Sequence, residues 1–178
     1  MILVSEVGPR DGLQSIARVM PLAAKQAWIA AEAAAGVREI EVGSFVPPSL
    51  LPQMADTAEL VAFARTIAGL NVVALVPNAK GAQRAVEAGV HAVSIPFSMS
   101  ETHSLRNVRK DHPAMLAEIA EVARIAKAGG VHFAVGLSTA FGCTIEGAVS
   151  EEQVVRLAAA AAEAGAQEFS LSDTTGYA

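Results

Sequence analysis

Nine residues near the N-terminus concentrate the chemistry of this sequence: Glu6-Val7-Gly8-Pro9-Arg10-Asp11-Gly12-Leu13-Gln14. They hold two carboxylates, a guanidinium and a carboxamide, with two glycines and a proline between them. A surface turn needs the glycine and proline but not that set of charges. An Asp on a glycine-braced loop offers a hard oxygen to a metal, and the Arg beside it offers a fixed cation to a developing oxyanion. The same pair also suits a plain salt-bridged loop, and both readings stand at this point.

Other residues with chemical potential are spread along the chain. Glu41 sits inside the apolar run Ile40-Glu41-Val42, where an unpaired charge is expensive. It is expected to pair with an arginine, and Arg10 is the candidate. Gly43 to Asp56 carries three prolines, which make a stiff connection. Ser98 to Lys110 reads as a hydroxyl-rich, then basic, loop that suits an acidic substrate or a carrier nucleotide's phosphates; a solvated loop fits equally. Cys143 has no base beside it and reads as a small packed residue. Asp173, before Thr174-Thr175-Gly176, either orients groups of a site or closes a turn. No H-x-H or H-x-x-x-H pair is present, so histidine ligation of a metal has little support within these residues.

The elements that must position these residues follow a rhythm. Ala35-Gly36-Val37, Ala88-Gly89-Val90 and Ala164-Gly165-Ala166 each end an Ala-rich helical pattern and open an apolar strand. Strands are expected near 2–7, 38–43, 71–76, 92–97, 132–138 and 168–172, and helices near 21–35, 54–67, 79–88, 112–128 and 151–164. Ser150 with Gln153 predicts a capping box on the last helix. Strict alternation means a parallel sheet covered by helices. No G-x-G-x-x-G follows the first strand, so a dinucleotide fold lacks support. The unusual residues fall at strand C-termini, where (β/α)8 barrels assemble their sites. The fold class is therefore α/β, of the TIM (β/α)8-barrel type. It is expected as one partial domain over residues 1–178, with six βα strands and the barrel incomplete.

Composition narrows the function. Hydrophobic residues make up 52% and charged residues 17%, which argues for a packed globule. The Ala-rich segments are broken by Lys25, Glu32, Arg156 and Glu163, so no membrane span is expected. A net charge of −5 and 4% aromatic residues exclude a nucleic-acid partner. One cysteine and no leader pattern fit a cytoplasmic protein.

Together these stretches resemble the hydroxymethylglutaryl-CoA lyases, within the larger group of metal-dependent (β/α)8 lyases and acyl transferases. The shared core is Arg10-Asp11-Gly12 with Gln14. The narrower likeness lies in Glu41 to Val46 with Pro52 to Asp56, then Asn78 with Lys80-Gly81. It continues through Ser98, Ser100-Glu101 and Asn107, Phe141 to Cys143 with Glu146-Gly147, and Ser172 to Thr174 with Gly176. The resemblance implies retro-Claisen cleavage of 3-hydroxy-3-methylglutaryl-CoA to acetyl-CoA and acetoacetate, a reaction of leucine degradation and ketone-body formation. It implies an acyl-CoA substrate and a divalent metal, Mg2+ or Mn2+, and leaves a homo-oligomer open. Arg10 is similar to the arginine that stabilises the enolate, and Asp11 to a metal-ligating aspartate. Glu41 and Asp173 resemble supporting acidic residues of the catalytic set; Gln14, Ser98 and Ser100, with Arg10, fall at substrate-binding positions. The family's histidine and asparagine ligands and its catalytic cysteine loop belong to later strands, so this chain alone is expected to be inactive. The rivals are an acyl transferase of the isopropylmalate- or homocitrate-synthase type and a non-catalytic remnant. Transferases tend to carry Glu where Leu13 stands. Leu22 departs from the family's usual Thr and weakens the first helix cap.

Overall fold

The computed structural model describes residues 2–178, which fall into two compact units, 2–93 and 94–178. The first holds β1 (Ser5–Glu6), α1 (Leu22–Ala34), β2 (Glu39–Ser44), α2 (Thr57–Ala64), β3 (Asn71–Leu75) and α3 (Ala79–Ala88). β4 (Ala92–Ser98) opens at its end. The second unit continues with α4 (Glu101–Val108), α5 (His112–Gly129), β5 (His132–Ser138), α6 (Glu151–Glu163) and β6 (Glu168–Leu171).

The strands lie in sequence order, β1-β2-β3-β4-β5-β6, and the pairs β1–β2, β2–β3 and β5–β6 are parallel. A doubly wound sheet reverses its order at a switch point, and this one does not. The fold is of the (β/α)8-barrel type, represented by six strands. The repeated junctions act as helix stops: Gly36, Gly89 and Gly165 take φ of +103°, +87° and +108°, which a side chain would disfavour.

In the first unit the core is apolar and closed. Ile29, Ile40, Val42, Leu60, Val61 and Val72 have no exposed surface. β2 is buried almost throughout, and its register on β3 slips between Glu41 and Gly43. That slip is a β-bulge, a device that re-aims side chains at a strand end. β1 is shorter than the apolar run suggested, since Ile2, Leu3 and Val4 are exposed and unpaired. α2 starts at Thr57 rather than 54, because Pro52–Met54 form a separate 3-10 turn. α1 starts after Pro21 with no side-chain cap, as Leu22 implied.

In the second unit the expected loop from Ser98 to Lys110 is instead largely a helix, α4. Ser100 caps it by accepting from the His103 N–H. The capping box on α6 is half made. Ser150 accepts from the Gln153 N–H, but the Gln153 side chain donates to the Met99 carbonyl instead of turning back. Bonding the buried Met99 carbonyl through Nε2 points the Gln153 side chain away from the Ser150 N–H.

Candidate active site

Arg10 and Asp11 lie on a π-helical turn, Gly8–Gly12, directly after β1. The N–H groups of Arg10 and Asp11 both donate to the Val7 carbonyl, at 3.1 and 2.7 Å. A side chain at Gly8 would displace two neighbouring side chains. A Cβ would sit 2.6 Å from Glu6 Oε1 and 2.8 Å from the Trp28 ring. Trp28 on α1 thereby presses on the turn that carries the charges.

The expected ion pair forms. Arg10 Nε donates to Glu41 Oε2 at 2.5 Å, and Arg10 Nη1 donates to Asp11 Oδ1 at 2.6 Å. Burial is graded along this row: the side chains of Glu41, Arg10 and Asp11 are 6%, 16% and 58% exposed. Glu41 is the anchor in the core, Arg10 the bridge, and Asp11 the group that faces outward. Gln14 donates to Asp11 Oδ1 at 3.0 Å. Both of these bonds fall on Oδ1, so Oδ2 is the oxygen Asp11 can offer to a hard cation. Two of the five N–H donors of Arg10 are committed to carboxylates, and the rest can serve an oxyanion.

Beside this row, β2 ends in Gly43 and Ser44. A Cβ on Gly43 would lie 2.5 Å from Thr57 Oγ1, so only glycine lets the strand reach α2. Thr57 Oγ1 receives the Ser44 N–H at 3.2 Å, and lies 3.1 Å from the Ser44 carbonyl and 2.8 Å from that of Met54. Asn78, after β3, caps α3 by accepting from Gly81 N.

The residues read from the second unit form another cluster. Ser98 Oγ and His103 Nδ1 are 2.6 Å apart, and the Ser98 carbonyl accepts from His112 Nε2. Ser98 is 5% exposed and Ser100 not at all. Thr139, after β5, takes the left-handed φ of 57° that a β-branched residue rarely adopts. It is held there from two sides: its N–H donates to Thr174 Oγ1, and its own Oγ1 accepts from Ser100 N. The sequence marks Thr139 only by its place, with Ser138, at the end of the fifth strand, and its strained backbone is invisible without coordinates. Asp173 spends both oxygens on its own turn, accepting from Tyr177 N and Ala178 N.

Cys143 is buried, and Cys143 and Gly147 exchange two backbone bonds of 2.7 Å. Burial pushes its thiol up, but hydrogen bonds from the Ser100 hydroxyl and from the backbone at Glu146 and Ile145 outweigh that and hold it below the usual range. Burial also raises Glu146, and bonds from Thr102 and Ser100 overcome it, so that carboxyl lies below its ordinary value. Glu146 accepts the Thr102 N–H at 2.6 Å and so closes the N-terminus of α4. Among the described residues, no group of three or more His, Cys, Asp or Glu could hold a metal ion, and no helix is long and apolar enough to cross a membrane.

The HMGL-like family model matches residues 1–178. The chain belongs to that family. It is 36% identical over 177 residues to the hydroxymethylglutaryl-CoA lyase YngG of Bacillus subtilis, covering 99% of this chain and 59% of that protein. It is also 36% identical over 187 residues to the (R)-citramalyl-CoA lyase of Chloroflexus aurantiacus, again covering 99% and 59%. Among solved structures, the HMG-CoA lyase of Bacillus subtilis superposes with a TM-score of 0.95 at 36% identity, over 99% of this chain and 59% of that one. An HMG-CoA lyase of Acinetobacter baumannii in complex with coenzyme A and 3-methylmalate gives 0.91 at 35% identity, over 100% and 58%. The chain thus spans under two thirds of the length of the relatives it matches.

Proposed function

We propose that the whole protein cleaves 3-hydroxy-3-methylglutaryl-CoA to acetyl-CoA and acetoacetate, and that this chain supplies the Arg10–Asp11–Glu41 part of its site. The observation that carries the reading is the graded row in which buried Glu41 fixes Arg10, and Arg10 fixes outward-facing Asp11. Cleavage of the carbon–carbon bond leaves negative charge on a thioester enolate. Arg10, pinned at two of its nitrogens, presents its remaining N–H groups to that oxygen without having to reorganise. Glu41 acts through Arg10, and Asp173 orients its neighbouring turn.

Asp11 fits one ligand position of a divalent cation, Mg2+ or Mn2+: it is a hard oxygen donor, exposed, with its bonds gathered on one oxygen. Such an ion supplies Lewis-acid stabilisation of substrate oxygens. A single carboxylate holds a catalytic metal poorly, so the 178 residues alone are inactive under this reading. The acyl-CoA substrate is supported by the coenzyme A complex of the Acinetobacter baumannii relative, with Gln14, Ser98 and Ser100 as further substrate-binding positions. Ser98 and Ser100 act there through the shape they give the end of β4, since both are buried. We assign residues 1–178 to a single partial barrel domain, place the protein in the cytoplasm, and leave its self-association as a homo-oligomer to measurement. A role in leucine degradation and ketone-body formation follows from the same reaction.

One finding favours a second reading of the substrate. Identity to a citramalyl-CoA lyase equals that to a hydroxymethylglutaryl-CoA lyase, so the acyl group is the open part. Acetoacetate release from 3-hydroxy-3-methylglutaryl-CoA by the whole protein with Mg2+ or Mn2+ tests the first reading. Turnover of citramalyl-CoA with none of the former would replace it with the second.

A further inference from the structure

Lys25 is among the largest fully buried side chains, at 1% exposure, on the first turn of an otherwise Ala-rich helix. In the sequence it is a charge that interrupts an Ala-rich segment. The structure puts it inside. Its Nζ donates to the Gln53 carbonyl at 2.5 Å and to Asp56 Oδ1 at 2.6 Å. A buried ammonium persists only where its partners are well placed. Asp56 stands at the N-cap of α2 yet makes no capping bond, so its carboxylate is committed to Lys25.

These contacts belong to a closed circuit through the first unit. Gln53, held through its carbonyl, donates from Nε2 to the Ile16 carbonyl at 2.6 Å, two residues past Gln14. Asp56 adjoins Thr57, which binds Ser44 at the end of β2. Three residues before Ser44 is Glu41, which holds Arg10, and the turn of Arg10 leads back to Ile16. The connection after β1 and the connection after β2 are thus tied through one buried cation.

We propose that Lys25 is a positioning residue for the reaction, setting these two connections so that Glu41 holds Arg10 in its working orientation. It touches no reacting atom. The kinetic arm of its test rests on the lyase reading above, while the exchange arm does not.

The test uses Lys25→Met, which keeps the stem and removes the charge, in the whole protein loaded with Mn2+. A shift of about an ångström in a catalytic group costs on the order of a hundredfold. The expected result is a kcat lowered roughly 10- to 100-fold with KM changed less than about 3-fold. In a Glu41→Gln background the further loss from Lys25→Met shrinks below about 3-fold, because both act through Arg10. Losses that multiply in full would overturn the proposal. Independently of activity, amide exchange at Ile16, Ser44 and Met54 should speed up at least about tenfold, with Ala82 and Gly89 on α3 unchanged. Unchanged exchange at the first three would also overturn it. Should Lys25→Met fail to fold, Asp56→Asn, which keeps the oxygen acceptor, is read on the same three amides. A wild-type protein without lyase activity would sink the functional reading and leave the exchange result to decide the role of Lys25.

Discussion

Arg10 in the first unit and Ser100 in the second each join several partners, and the two clusters are organised differently. Around Arg10, polarity is graded outward, from a Glu41 side chain at 6% exposure to Asp11 at 58%. Around Ser100, the polar groups close on one another. Its hydroxyl oxygen accepts from His103 N, and its N–H donates to Thr139 Oγ1. The first arrangement keeps hydrogen-bonding capacity in hand for a ligand. The second consumes it to hold a strand end and a helix start together. Charge with spare capacity marks where chemistry can occur, and satisfied buried polarity marks what holds it in place.

This difference can be broken experimentally, and the largest effects belong to the first cluster. Arg10→Lys keeps the charge but loses the planar fork that reaches Glu41 and Asp11 together. We expect kcat of the whole protein to drop by about 10²–10³ with an unchanged melting temperature. Equal activity would show that the guanidinium is structural. Gly43→Ala puts a methyl against Thr57 and should cost about 1–3 kcal/mol in chemical denaturation. In the second cluster Ser100→Ala removes the cap of α4, with an expected loss of about 1 kcal/mol; because Ser100 shapes a substrate-binding strand end, KM should rise while kcat stays within about 3-fold. A collapse of kcat there without loss of stability would move Ser100 into the working part of the site.

Legibility of the sequence followed the same division. The Glu41–Arg10 pair was readable because a carboxylate in an apolar strand demands a partner. The strands were readable from the Ala-Gly junctions, and the barrel type from the unusual residues at strand C-termini. α4 was hidden, since Ser98 to Lys110 has loop-like composition and its helix is closed from outside by Glu146, 44 residues after Thr102. The buried role of Lys25 was hidden too, because its two acceptors lie 28 and 31 residues away. Non-local partners decided both cases, and periodicity carries no information about them.

The smallest expected effects are those of pH. Burial, then repulsion from Arg65, holds His91 below its ordinary value, and its Nδ1 accepts the Val72 N–H at 2.9 Å. The unfolded chain therefore binds this proton at a higher pH than the folded one. The stability His91 contributes is complete above about pH 6.5 and is lost as pH falls toward its folded value. His91→Asn, which keeps an acceptor near that position, should flatten the dependence in urea melts between about pH 5 and 7. Glu146 has the same sign in a lower window. Its contribution is present above the ordinary carboxylate range and lost as pH falls through its folded value. An unchanged slope in His91→Asn would show that the Val72 bond survives protonation.

The central claim is that Asp11, fixed by Arg10, presents a metal-ligating oxygen to the reaction. Mn2+ affinity, read by electron paramagnetic resonance alongside acetoacetate release, tests it most directly in the whole protein and its Asp11→Asn variant. We predict metal-dependent release by the wild type and, for Asp11→Asn, Mn2+ binding weakened at least about tenfold with release falling in parallel. Mn2+ binding and turnover unchanged in Asp11→Asn would contradict the account.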